Sequence, residues 1–156
     1  EADIQQNLGS VGSLATITQQ GDDGYGQVIQ SGAANVASIL QNGLSSGDSA
    51  TILQYGDSGK VDVTQNGTDN TSLVTQEVSS HSGEVTVDQS GAGNGSTVLQ
   101  KGGSFNVATV TQSGDLGVSD IIQDGSDNEA TVTQTTDGAN SVVNQVGSLN
   151  VATVTQ

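Results

Sequence analysis

Fourteen glutamines return along this chain with a persistence that few folds tolerate. They are Gln6, Gln19, Gln30, Gln41, Gln54, Gln65, Gln76, Gln89, Gln100, Gln112, Gln123, Gln134, Gln145 and Gln156, at steps of 11 to 13 residues. A period held this long is the signature of a repeat architecture. Two positions before each Gln stands a β-branched apolar residue: Ile4, Ile17, Val28, Ile39, Ile52, Val63, Val74, Val87, Val98, Val110, Ile121, Val132, Val143 and Val154. Four positions before it most residues are small, with only Val61 and Val85 larger.

An 11-residue period also fits three helical turns. Here the constrained positions fall at steps of two, which is strand periodicity. Val, Ile and intervening Thr are strand formers. Gly follows Gln by two residues at Gly21, Gly32, Gly43, Gly56, Gly67, Gly91, Gly102, Gly114, Gly125 and Gly147. Glycines at one phase suit turns that need positive φ and would break a helix. Each unit is therefore expected to be one short strand and one turn. Its inward face reads, in the best copies, Asn106, Ala108, Val110 and Gln112; its outward face reads Val107, Thr109 and Thr111.

Such a strand has one apolar face, narrow enough to pack against a single partner. Two strands then make a rung, and rungs stack about 4.8 Å apart through backbone hydrogen bonds. The expectation is an all-β chain: a β-solenoid of about seven two-strand rungs, parallel and in register, amyloid-like. Its rungs fall near residues 1–19, 20–41, 42–65, 66–89, 90–112, 113–134 and 135–156 of one repeat domain spanning 1–156.

A buried amide is costly unless it is hydrogen-bonded. In such a stack Gln lies above Gln, each amide donating one way and accepting the other. Odd strands supply one ladder, from Gln6 through Gln30, Gln54, Gln76, Gln100 and Gln123 to Gln145. Even strands supply the other, from Gln19 through Gln41, Gln65, Gln89, Gln112 and Gln134 to Gln156. Asn35, Asn70, Asn94, Asn106, Asn128 and Asn150, each six residues before a Gln, are expected to form an Asn ladder at the other end of the strands.

Composition narrows the function. Two basic residues stand against 17 acidic ones, a net charge of −15. Nucleic acid and anionic lipid both require the opposite sign. There is no Cys for a disulfide or a thiolate metal site. His81 is the one His, in "EVSSHSG", and neither Lys60 nor Lys101 has a catalytic constellation around it. The expectation is no enzyme, no metal and no cofactor.

The spacing Gln-x4-Asn-x5-Gln occurs five times, and with "NVASILQNG" and "NVATVTQSG" it resembles the curlin repeat of bacterial curli subunits. That family's repeat usually opens on Ser. Here Ser13 does so, while Gly24, Gly59, Gly83 and Gly117 take the same place. The resemblance, closer to the major than to the minor subunit, implies a secreted structural subunit of an extracellular functional amyloid in the biofilm matrix. It also implies as partners further copies of the chain, a nucleator subunit and an outer-membrane secretion apparatus. The first strand begins at Ala2 and the last repeat reaches Gln156, so head-to-tail continuation of the rungs into a filament is expected. Two alternatives stand beside this reading. One is the minor, nucleating subunit. The other is an ice-binding solenoid using Thr16/Thr18, Thr109/Thr111, Thr131/Thr133 and Thr153/Thr155, although Lys60, Asp62, Glu84 and Asp88 interrupt that face.

Overall fold

The computed structural model describes residues 1–42 and 46–156. Among them are fourteen strands and no helix. The odd sheet holds β1 (Ala2–Gln6), β3 (Tyr25–Gln30), β5 (Ser49–Gln54), β7 (Thr71–Gln76), β9 (Gly95–Lys101), β11 (Val118–Asp124) and β13 (Asn140–Val146) in that order. The even sheet holds β2 (Leu14–Gln19), β4 (Val36–Gln41), β6 (Lys60–Gln65), β8 (Glu84–Gln89), β10 (Val107–Gln112), β12 (Glu129–Gln134) and β14 (Val151–Thr155). All pairings are parallel, and the chain alternates between the sheets at every turn. This is a β-solenoid of about seven turns.

Register follows from the period-two pattern, because a one-residue slip would turn every Val and Gln outward. Val110 lies beside Val87 and Val132, and Gln112 beside Gln89 and Gln134. The core is a single cluster between the sheets. Val28, Ile39, Ile52, Val63, Val74, Val87, Val98, Val110, Ile121 and Val132 are at most 1% exposed, and Val143 is 5% exposed. Ile17 and Val154 pack partly buried against it. Ile4 departs from the expected core: it is 46% exposed, because β1 has a strand on one side only.

The turns differ from their sequence reading. Of the glycines two after Gln, Gly32, Gly91, Gly102, Gly125 and Gly147 have positive φ, whereas Gly56, Gly67 and Gly114 do not; Gly43 lies outside the described residues. The constant left-handed position is instead seven residues before Gln. Gly12, Gly47, Gly93 and Gly138 occupy it, but so do Asp23, Ala34, Ser58, Asp69, Ser82, Phe105, Leu116, Asp127 and Leu149, at φ of 53° to 61°. None is β-branched, the class for which this region is most costly. The stacked turn enforces the conformation whatever residue stands there.

The odd sheet also buries serines that its partner lacks. Ser72, Ser96 and Ser119 stack in register, with hydroxyls that meet no hydrogen-bond partner. Most of the corresponding even-sheet positions hold Ala: Ala37, Ala108 and Ala130. A buried hydroxyl without a partner costs about 1–3 kcal/mol. Ser119→Ala is therefore expected to stabilise the fold by ~1 kcal/mol, read as a higher midpoint in denaturant unfolding.

Candidate functional site: two buried glutamine columns

Every inward Gln lies in one of two columns. In the odd sheet Gln6 Nε2 donates to Gln30 Oε1 at 2.9 Å, Gln30 to Gln54 at 2.9 Å, Gln54 to Gln76 at 3.0 Å and Gln76 to Gln100 at 2.9 Å. Gln100 donates to Gln123 and Gln123 to Gln145, both at 3.0 Å. In the even sheet the chain runs from Gln19 to Gln41 at 2.7 Å, then to Gln65, Gln89 and Gln112 at 2.9 Å each, to Gln134 at 2.8 Å and to Gln156 at 3.3 Å. All twelve bonds point the same way along the column. From Gln30 to Gln134 these side chains are at most 1% exposed, so the amides are satisfied by one another rather than by water.

The amides also do something that spacing alone did not suggest. A primary amide has two hydrogens, and the second reaches across to the facing sheet. Gln76 Nε2 donates to Gly83 O at 2.8 Å, Gln100 to Asn106 O at 2.9 Å and Gln123 to Val107 O at 2.8 Å. From the even side, Gln89 donates to Thr71 O at 3.0 Å and Gln134 to Val118 O at 2.9 Å. Each Gln from Gln30 to Gln145 thus ties one rung to the next and one sheet to the other.

The asparagines do not form the single side-chain ladder that the sequence suggests. They fall in two columns: Asn70 and Asn94 precede odd strands, while Asn35, Asn106, Asn128 and Asn150 precede even ones. Their main partners are backbone groups. Asn35 Oδ1 accepts from Gly59 N at 2.8 Å, Asn70 Oδ1 from Asn94 N at 3.0 Å and Asn94 Oδ1 from Gly117 N at 2.8 Å. Their Nδ2 groups donate to the carbonyls of the post-Gln glycines one rung on: Asn35 to Gly56 at 2.7 Å, Asn70 to Gly91 at 3.0 Å, Asn94 to Gly114 at 2.8 Å, Asn106 to Gly125 at 2.7 Å and Asn128 to Gly147 at 2.9 Å. Amide-to-amide bonds occur only where asparagines stack directly, from Asn128 to Asn106 at 3.1 Å and from Asn150 to Asn128 at 2.9 Å.

This geometry explains which residues share the Asn position. Any side-chain oxygen serves the next rung's N–H. Ser13 Oγ accepts from Asn35 N at 3.0 Å, and Asp48 Oδ1 accepts from Asn70 N at 2.8 Å. Neither role was read from the sequence, where the eye follows Asn rather than its acceptor oxygen. Gly also fits, for a steric reason: a Cβ at Gly59 or Gly83 would lie 2.2 or 2.3 Å from the Oε1 of Gln76 or Gln100.

The outward faces carry little chemistry. Lys60 bridges Asp62 at 3.2 Å and Glu84 at 2.9 Å. Hydrogen bonds to Glu84 and then Asp62 hold its ammonium above the ordinary lysine pKa. His81 is exposed, with Nε2 3.9 Å from Asp57. Threonines of the ice-binding alternative stack in register on β10, β12 and β14, as Thr109, Thr131 and Thr153 beside Thr111, Thr133 and Thr155. One rung earlier Asp88 takes the place of Thr111, and Thr16/Thr18 stand four rungs from Thr109/Thr111, with Leu40 and Asp62 between. The array is thus confined to three rungs. Among the described residues no group of three or more His, Cys, Asp or Glu is placed to hold a metal ion.

Residues 83–114 and 106–135 each match the family model of the curlin associated repeat. No curated protein and no solved structure matches the chain.

Proposed function

Given that residues 83–135 are built of curlin repeats, we propose that residues 1–156 act as one repeat domain, a subunit that polymerises into an extracellular amyloid fibre of the biofilm matrix. The family supports a structural subunit of curli type rather than an enzyme. The observation that carries the finer reading is the equivalence of the rungs. Each one pairs with its neighbour through the same backbone register and the same two glutamine amides. A rung of a second copy offers the same partners, so the stacking that builds the column within one chain serves equally between chains. An open sheet edge is a template for such pairing. On this reading the glutamine columns are the assembly element and the asparagines hold the turns in register. The chain's main partner is itself. A nucleating subunit and an outer-membrane secretion apparatus belong to the same reading.

The test is incubation of the purified chain at high micromolar concentration. Unbranched fibrils with a meridional spacing near 4.8 Å are the expected product. Protein that stays monomeric and folded for days overturns the reading. Charge sets the rate: copies at −15 repel one another, and the exposed carboxylates are the source. Added salt, or a fall in pH towards the carboxylate range near 4, is expected to shorten the lag severalfold. A lag indifferent to both would remove charge as the controlling factor.

A further inference from the structure

The carboxylates that make this chain so acidic are absent from one patch of it. β3, β5, β7 and β9 as far as Gln100 contain no Asp, Glu, Lys, Arg or His. Acidic residues border the patch instead, with Asp23 before β3, Asp69 before β7 and Glu77 after it. The outward face of the even sheet is different: Lys60, Asp62, Glu84 and Asp88 stand at its centre.

Within the uncharged window the side chains just before Gln line up across the odd sheet. Ile29, Leu53, Thr75 and Leu99 stack in register, and Ile122 continues the row on β11. All are half-buried in the isolated column. Beside the row Leu73 is 40% exposed and borders a depression that opens over Gly95, where the sheet has no side chain, with Asp120 of β11 as the one charged residue at its edge.

We propose that this window is the lateral contact between two columns, the odd sheet of one copy laid against the odd sheet of another. The occupant follows from charge. Two molecules of −15 repel least where neither presents a charge, whereas a basic partner would be drawn to the acidic faces. Sheets packed face to face sit about 10 Å apart with interdigitated side chains, and Leu73 beside the Gly95 depression supplies a projection and a hollow on the same face.

Size explains when the contact forms. Four strands at about 4.8 Å, each about 20 Å long, give a window of about 400 Å² per copy. Pairing two such windows buries about 800 Å², below the ~1,200 Å² of a stable interface. Isolated copies therefore stay apart. In a fibre the window recurs with every subunit, and many weak contacts act together. The inference rests in this respect on the fibre reading above.

The test compares the wild-type chain with a variant carrying Ile29→Thr, Leu53→Thr, Leu99→Thr and Ile122→Thr. Thr keeps strand propensity and leaves the inward Val and Ile unchanged. Negative-stain micrographs and X-ray fibre patterns are recorded for both. Wild-type filaments are expected to run as pairs or bundles, and the variant is expected to form filaments with the same 4.8 Å spacing that run singly. Wild-type filaments that already run singly overturn the lateral contact and leave the fibre reading standing, with the window open to a different occupant. Bundling unchanged in the variant overturns it as well. A variant that forms no filaments shows that the row lies inside the column's own core, which also overturns it. Wild-type protein that forms no filaments removes both readings together.

Discussion

Gln89→Met is expected to cost the column a large part of its stability. Met keeps the length and bulk of Gln while removing its amide. Gln89 sits at mid-column with no exposed surface. Its Oε1 accepts from Gln65 at 2.9 Å, and its Nε2 donates to Gln112 at 2.9 Å, Thr71 O at 3.0 Å and Asn94 O at 3.2 Å. After the substitution one hydrogen of Gln65 and the Oε1 of Gln112 lose their partner where no water reaches. At about 1–3 kcal/mol for each stranded group, the loss is ~2–6 kcal/mol, against total stabilities of about 5–15 kcal/mol for ordinary domains. Gln6 is the control. It is exposed and ends its column, so Gln6→Met strands only the Oε1 of Gln30 and is expected to cost about 1–3 kcal/mol, roughly half the loss at Gln89. Denaturant midpoints followed by circular dichroism measure both. Equal losses at Gln6 and Gln89 would show that the amides matter as solvated polar groups rather than as links of a ladder.

Gly67→Ala is expected to be as damaging, and for a reason unrelated to backbone conformation. Gly67 does not have positive φ. A Cβ there would lie 1.7 Å from Gly91 O and 2.6 Å from Asn70 Nδ2. Neither can retreat cheaply, because Gly91 O is held by Asn70 Nδ2 at 3.0 Å and by Thr68 N at 3.1 Å. Moving one turn off the next is expected to cost about 3 kcal/mol or more. Gly95→Ala gives the opposite sign. Its nearest neighbour would be Thr71 Oγ1 at 3.6 Å, an ordinary contact. Removing a glycine from a strand is worth about 0.5–1 kcal/mol, so this variant is expected to unfold at higher denaturant. Similar behaviour of the two variants would show that the stacked turns yield more easily than their hydrogen bonds imply.

The strands and their register were legible in the sequence because they depend on side-chain chemistry repeated at fixed phase. A β-branched residue two before every Gln and a small residue two further back define one apolar face per strand, and a narrow face has few ways to be buried. The two glutamine columns follow from that register without further information. Phase does not reveal what a side chain reaches across space. The bonds from Gln76 to Gly83 O and from Gln89 to Thr71 O exist because the facing sheet brings a carbonyl within reach of the amide's second hydrogen. Asp48 and Ser13 act at the position that Asn holds in other rungs because the next rung's N–H needs only an oxygen. The left-handed turn residue left only a faint mark on the sequence, the absence of β-branched residues, since Ala34, Phe105, Leu116 and Asp127 share it with Gly. Those features belong to the tertiary structure: once rungs stack in register, each turn is held by the turns above and below, and that confinement, rather than local residue preference, selects its backbone conformation.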